Sequence, residues 1–232
     1  MKNILIVGAS SSIGNAIINK FCSSTNKVVA TYYSKKCIEP SENIFPIFLD
    51  LTNNKSIKNF VNNLAKIFDH IDSGIFLSGI LPGDPLDQYS NKDIDTVMSV
   101  NFSGQAKILA KIQSKFIDGS QIMMFSSISA QKGSYDPIYA ASKGAILSFV
   151  KSVASGLPKG VRINAIAPGL IKNSTMFNMM DGKRQDFHLN QMTNNKLLQI
   201  EDLANIIYDL TKDHWSHLNG ACIDLNDGQY VR

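Results

Sequence analysis

Short β-branched and apolar runs recur along the chain near Asn3 to Val7, Val28 to Thr31, Ile44 to Leu49, Gly74 to Leu77, Gln121 to Phe125, Arg162 to Ile166 and Ala221 to Leu225. Helix-length segments separate most of them. Strands joined in this way pair in parallel, because each crossover has room to lay a helix over the sheet, and strands so covered are apolar on both faces. The pattern predicts an α/β fold of three layers: a doubly wound, mostly parallel sheet of seven strands with helices on both sides.

The 232 residues are enough for one well-filled core, since α/β domains run to about 250 residues as single units. No repeat, low-complexity tract or linker divides them, so one domain is expected over residues 1–232. A polar, methionine-rich segment at about 174–197 breaks the alternation and reads as a mobile insertion, a substrate lid. With 44% hydrophobic and 18% charged residues, neither disorder nor a coiled coil is indicated.

Charge and cysteine usage exclude several function classes. The formal charge of +4 comes from scattered lysines rather than basic blocks interleaved with aromatics, which disfavours nucleic acid and suits an anionic small molecule. Cys22, Cys37 and Cys222 are odd in number and far apart, so neither a disulfide framework nor a metal site is expected, and a reducing cytoplasm fits. The first apolar run, Ile4 to Val7, is only strand-length and ends at Gly8. It is neither a signal peptide nor a membrane span, and no later segment spans a bilayer.

Chemistry enters at two places. Gly8-Ala9-Ser10-Ser11-Ser12-Ile13-Gly14 follows the first strand and opens a helix with apolar spacing from Ile13 to Phe21. Small residues there let backbone amides approach a pyrophosphate at the positive end of a helix, as in a Rossmann dinucleotide fold. Further along, Tyr139 and Lys143 are four apart on a segment opened by Asp136 as cap and Pro137 at a first helical position. They therefore share one helix face. A cation beside a phenol favours the phenolate, and a phenol of lowered pKa can exchange a proton with a carbonyl or alcohol oxygen near neutral pH.

These residues resemble the short-chain dehydrogenases/reductases from Lys2 to Tyr230: Y-x-x-x-K at Tyr139 and Lys143, and G-x-x-x-G-x-G at Gly8 to Gly14 with Ser12 in place of the middle glycine. The resemblance implies Tyr139 as proton donor, Lys143 on the cofactor ribose, and Asn101 holding a proton relay. It also implies a serine after the fifth strand that orients the substrate oxygen. Ser126 fits the family interval to the tyrosine and Ser127 the local pattern; Ser127 is preferred. For the cofactor it implies Gly8, Ser10, Ser11, Ser12, Ile13 and Gly14 at the first turn, and Asp50 and Leu51 at the adenine. Ser78 and Gly79 stand where the family has N-N-A-G, of which only the glycine survives, so hydrogen bonding around the central strand must be arranged differently. The resemblance further implies that Pro168, Gly169 and Ile171 face the nicotinamide, and Asn173 aligns with the family threonine that follows them.

The turn Tyr32-Tyr33-Ser34-Lys35-Lys36 carries no carboxylate to accept from ribose hydroxyls, which predicts NADP rather than NAD, with Tyr33, Ser34 and Lys35 as contacts. The basic residue that NADP-preferring members often carry in the glycine loop is replaced by Ser11. The expected activity is NADPH-dependent reduction of a ketone to an alcohol, with a 3-oxoacyl thioester, carried on acyl carrier protein, as one substrate class. Members acting on sugars, polyols or steroids stay open, as does a cofactor-binding regulatory protein that has lost the chemistry. The tail from Asn219 to Tyr230 resembles the family's interface strand and implies a homotetramer or homodimer.

Overall fold

A computed structural model describes residues 1–22, 25–34 and 38–231. Seven strands, β1 (Asn3–Val7), β2 (Lys27–Tyr32), β3 (Ile44–Phe48), β4 (Ile71–Phe76), β5 (Phe116–Phe125), β6 (Arg162–Pro168) and β7 (Cys222–Leu225), form one sheet in the order β3-β2-β1-β4-β5-β6-β7. Every neighbouring pair is parallel. The winding reverses at β1, which pairs with β2 on one side (Leu5 opposite Val29) and β4 on the other (Leu5 opposite Gly74). Ligands of such sheets bind outside the carboxyl ends of the strands at this reversal.

Period-two alternation sends neighbouring residues of one strand into opposite layers. Leu5 and Val7 join the core under helices α2 (Asn54–Ile67), α4 (Gly104–Ile112) and α6 (Pro137–Val153). There they meet Ile57, Phe60, Leu64, Ile108, Ile146 and Val150. Ile4 and Ile6 join the other core, under α1 (Ser12–Cys22) and α9 (Ile200–Asp209), with Ile17, Phe21, Leu203 and Ile207.

The helix starts follow from capping. Asn53 accepts from the amides of Lys55 and Ser56 at the start of α2, and Asp136 accepts from Tyr139 N at the start of α6, with Pro137 where no amide partner is needed. The segment at 174–197 is more regular than its composition suggests. Helices α7 (Thr175–Met179) and α8 (Gly182–Asn190) form because Ser174 and Asp181 cap them. Two further short helices, α3 (Asn91–Met98) and α5 (Ser129–Lys132), complete the set used below.

Between α3 and α4 the backbone makes one wider turn at Ser99–Ser103, where Gly104 N–H reaches the Ser99 carbonyl five residues back. Such turns inside helices often mark functional sites. Here it carries Asn101, which is fully buried. A side chain on Gly104 would start 2.6 Å from the Leu51 carbonyl, so glycine is what lets α4 sit against the end of β3.

Candidate active site

At the β1–α1 turn, Gly8 has φ +87°, and a Cβ there would lie 2.7 Å from Ser78 N and 2.8 Å from Ser78 Cα. A Cβ on Gly14 would lie 2.6 Å from Ala9 Cα, so α1 rests directly on the turn. Thr31 braces the turn from β2, accepting from Gly8 N through its hydroxyl and from Ala9 N through its carbonyl, both at 2.9 Å. Ser11 Oγ accepts from Gly14 N at 3.0 Å and so caps α1. Ser12 Oγ donates to the Asn173 carbonyl at 3.5 Å.

Above this turn lies a cleft of about 340 Å³. Gly8, Ser10 and Ser11 form one wall, Tyr33 and Ser34 follow β2, Asp50 and Leu51 follow β3, and Ser78 and Gly79 follow β4. Glycine backbone bare of side chains at the start of α1, a cleft that runs past the ends of β2, β3 and β4 and the position at the strand reversal all suit a dinucleotide. Asp50 Oδ1 accepts from the amide and hydroxyl of Thr52, at 2.9 and 2.7 Å, so part of its carboxylate shapes the turn. Lys35 lies outside the described residues.

A second cavity, of about 480 Å³, adjoins the first and shares Ser11, Leu77, Gly79 and Ile80 with it. Ser12, Ile13, Ser127, Tyr139, Pro168, Gly169 and Ile171 line it, and α7 and α8 close one side with Met176, Met179, Met180 and His188. Gly14, Asn101 and Lys143 stand behind the two linings rather than in them.

The two serines after β5 have separate partners. Ser126 Oγ donates to the Lys143 carbonyl at 2.8 Å and ties the strand end to α6. Ser127 places its hydroxyl beside the Tyr139 phenol, whose pKa it lowers, and accepts from Ser129 N at 3.1 Å. Lys143 Nζ donates to the Phe125 carbonyl at 2.8 Å and sits 3.1 Å from where a side chain on Gly79 would begin. Asn101 is held at three points: Oδ1 accepts from Ile80 N at 2.8 Å, and Nδ2 donates to the Ile80 carbonyl at 3.0 Å and to Ser142 Oγ at 2.9 Å. Ser142 in turn donates to the Tyr139 carbonyl at 2.7 Å.

Burial dominates both titrating groups. It pushes the Tyr139 phenol up, assisted by the Asp136 carboxylate and opposed by the hydrogen bond with Ser127. It pulls Lys143 down to about 8. The lowered phenol expected from the four-residue spacing is not what the structure shows, because Nζ is committed to the Phe125 carbonyl and lies 5.9 Å from the phenol ring centre. A lysine whose folded pKa lies below its unfolded value binds fewer protons when folded, so stability rises with pH between the two. Between pH 7.5 and 9.5 the protein should gain about 2 kcal/mol from this group. Urea unfolding at the two pH values checks this, and Lys143→Met should flatten the slope.

Several supports escape sequence inspection. Gln105, fully buried one turn after Asn101, donates through Nε2 to the Ser78, Val100 and Asn101 carbonyls at 2.9, 3.0 and 2.9 Å. This is how the β4 end is braced without the N-N-A-G asparagine. Asp136 does more than cap α6: its carboxylate also accepts from Tyr89 OH at 2.8 Å and Gly83 N at 3.0 Å, pinning the loop after β4 to the tyrosine helix. Asp136→Ala removes the cap and strands these donors, worth roughly 2–3 kcal/mol or about 5–10 °C in a domain of this size. Asp136→Asn, which keeps an acceptor, should lose less than half of that in a thermal melt.

A doubly wound parallel sheet with a glycine turn at its reversal, and a serine, tyrosine and lysine gathered beside that turn, defines an oxidoreductase that uses a nicotinamide dinucleotide. The chain belongs to the short-chain dehydrogenase/reductase family: the family model described as enoyl-(acyl carrier protein) reductase matches residues 8–229. It is similar to the 3-oxoacyl-[acyl-carrier-protein] reductase of Buchnera aphidicola, at 28% identity over 99% of this chain and 98% of that one. The enzyme of the same name from Thermotoga maritima is 26% identical over 99% and 98% of the two chains.

Among solved structures, a short-chain dehydrogenase/reductase (glucose/ribitol dehydrogenase) from Brucella melitensis superposes with a TM-score of 0.92 at 24% identity, covering 100% of this chain and 97% of that one. A short-chain dehydrogenase from Burkholderia cenocepacia in complex with NADP gives 0.89 at 22% identity, covering 99% and 98%. Among the described residues no helix is long and apolar enough to cross a membrane, and no cluster of three or more histidine, cysteine or acidic residues could hold a metal ion.

Proposed function

We propose that this protein is an NADPH-dependent reductase of apolar ketones, with 3-oxoacyl thioesters on acyl carrier protein as the favoured substrate class. The observation that carries the reading is the Ser127–Tyr139 hydroxyl pair in a methionine-rich cavity that shares Gly79 with the dinucleotide cleft. The names of the full-length relatives support the substrate class.

The nicotinamide cofactor, when bound, supplies the hydride. Tyr139 gives its phenolic proton to the substrate oxygen, and Ser127 orients that oxygen by hydrogen bonding. Lys143 holds the ribose hydroxyls of the cofactor. Asn101, fixed to both Ile80 and Ser142, maintains the route by which protons return to Lys143. Gly8, Ser10, Ser11, Ser12 and Ile13 receive the phosphates, with Gly14 letting α1 rest on that turn, Asp50 and Leu51 the adenine, Ser78 and Gly79 the ribose side, and Pro168, Gly169 and Ile171 the nicotinamide. The segment at 174–197 acts as a lid of a single catalytic domain spanning 1–232, and the protein works in the cytoplasm as a homotetramer or homodimer.

NADP is favoured because Tyr33 and Ser34 line the cleft where an acidic residue would be needed for NAD, with Lys35 next in sequence. Fluorescence titration should give at least about tenfold tighter binding of NADPH than NADH, as expected for charge-assisted contacts to one extra phosphate. Tighter NADH binding would overturn the assignment. Following NADPH absorbance with a 3-oxoacyl thioester, an aliphatic ketone, a sugar, a polyol and a steroid tests the substrate class. The thioester should be consumed fastest, and cofactor binding without consumption of any of them would refute the enzymatic reading.

A further inference from the structure

We propose that His188 sets substrate specificity by presenting an Nε2–H donor to a second, uncharged carbonyl oxygen of the substrate, apart from the one that is reduced. The inference rests on the reading of the 480 Å³ cavity as the ketone site. His188 stands on α8 and lines that cavity together with Ser127 and Tyr139. It faces a lining otherwise rich in apolar side chains, including Met176, Met179 and Leu170. Methionines adapt to varied apolar bodies and confer little directional selectivity. A directional polar contact on this side would therefore discriminate between substrates.

The protonation of the ring follows from a chain of amides. Lys132 Nζ donates to Gln191 Oε1 at 3.0 Å. An ammonium group has donors only, so Gln191 must turn its oxygen toward it. The same oxygen lies 3.2 Å from Gln229 Nε2, and that nitrogen lies 2.8 Å from His188 Nδ1. Gln229 accordingly donates in both directions, Nδ1 accepts, and the proton of the neutral ring sits on Nε2. Burial, followed by the charges of Lys132 and Arg184, lowers the His188 pKa and keeps the ring neutral. Among the described residues no acceptor meets Nε2–H. A neutral donor suits the second carbonyl of a 3-oxo ester or thioester, which is a neutral acceptor.

Two measurements test this. The first compares a 3-oxo ester with the ketone of equal length in which a methylene replaces the ester carbonyl, in the full-length protein and in His188→Phe. The ratio of their kcat/KM values should fall about five- to tenfold in the variant, the loss of one hydrogen bond. An unchanged ratio overturns the proposal. The second, independent of turnover, is two-bond ¹H–¹⁵N correlation spectroscopy of the histidine rings, with His188 assigned by its loss in His188→Phe. His188 should be the Nε2–H tautomer, and Gln229→Glu, which offers Nδ1 only acceptors, should move it to the Nδ1–H or doubly protonated form. An Nδ1–H tautomer in the parent protein, or no response to Gln229→Glu, overturns the proposal. Turnover of neither ketone would sink the ketone reading and the role of His188 in it, while the tautomer arm would still report on the amide chain.

Discussion

Replacing Tyr139 with phenylalanine should lower kcat by about 10²–10⁴-fold, the usual contribution of a positioned general acid, and leave NADPH affinity within about threefold, a change below 1 kcal/mol. The substitution removes one oxygen and keeps the ring, which is 6% exposed and packed at the start of α6, so the fold should survive. Ser127 would keep its bond from Ser129 N and could still hold a substrate oxygen, but no proton would be delivered to it. Cofactor fluorescence titration and steady-state turnover, measured on one preparation, separate the two effects. A variant that retained more than about a tenth of the parent turnover, a loss of under 1.4 kcal/mol, would remove Tyr139 from the chemistry. Lys143→Met should differ in kind, weakening cofactor binding as well as turnover, because Lys143 is assigned contact with the ribose.

Gly8→Val should have the largest effect on the folded state. Two separate penalties meet at this residue: a left-handed backbone, at φ +87°, and a Cβ within 2.7–2.8 Å of the Ser78 backbone. The first is worth about 1–2 kcal/mol for a residue with a side chain. The second forces the ends of β1 and β4 apart and disturbs close packing over both cores. Together they should exceed about 4 kcal/mol and lower the melting temperature by roughly 10 °C or more, or prevent folding. Gly83 provides a control: φ is +84°, yet nothing lies within 4 Å of a Cβ there. Gly83→Ala should therefore show the backbone term alone, and a Gly8→Ala variant no less stable than Gly83→Ala would show that the close approach to Ser78 is unimportant. Gly8→Ala should also bind NADPH at least about tenfold more weakly, since a methyl group would stand where the backbone meets a phosphate.

Much of the architecture was legible in the residues themselves. The apolar runs located all seven strands to within a few residues, except β5, which begins at Phe116 rather than at Gln121. Its first half is largely exposed and so lacks the apolar signal on which such a reading depends. Asp136-Pro137 announced the start of α6, and the four-residue spacing placed Tyr139 and Lys143 on one face. The segment at 174–197 read as irregular because its helices are short and held by single caps at Ser174 and Asp181, which leave little periodicity to detect.

What the sequence determined by itself was local: which segments are strands and helices, that the sheet is parallel, and which residues at the first turn and on α6 have the right chemistry. Only the tertiary structure decided which serine meets the phenol. Both serines line the cavity, but Ser126 gives its hydroxyl proton to the Lys143 carbonyl seventeen positions away, while the Ser127 hydroxyl stands beside the phenol. It also decided that Gln105 braces the end of β4 and that burial outweighs the Ser127 hydroxyl in setting the Tyr139 phenol. Gln229 reaches His188 across 41 positions. Backbone preference and side-chain period act over a few residues and leave a trace in their order. Hydrogen bonding and desolvation depend on which groups the packed chain brings within about 3 Å, and that is set by the whole fold at once.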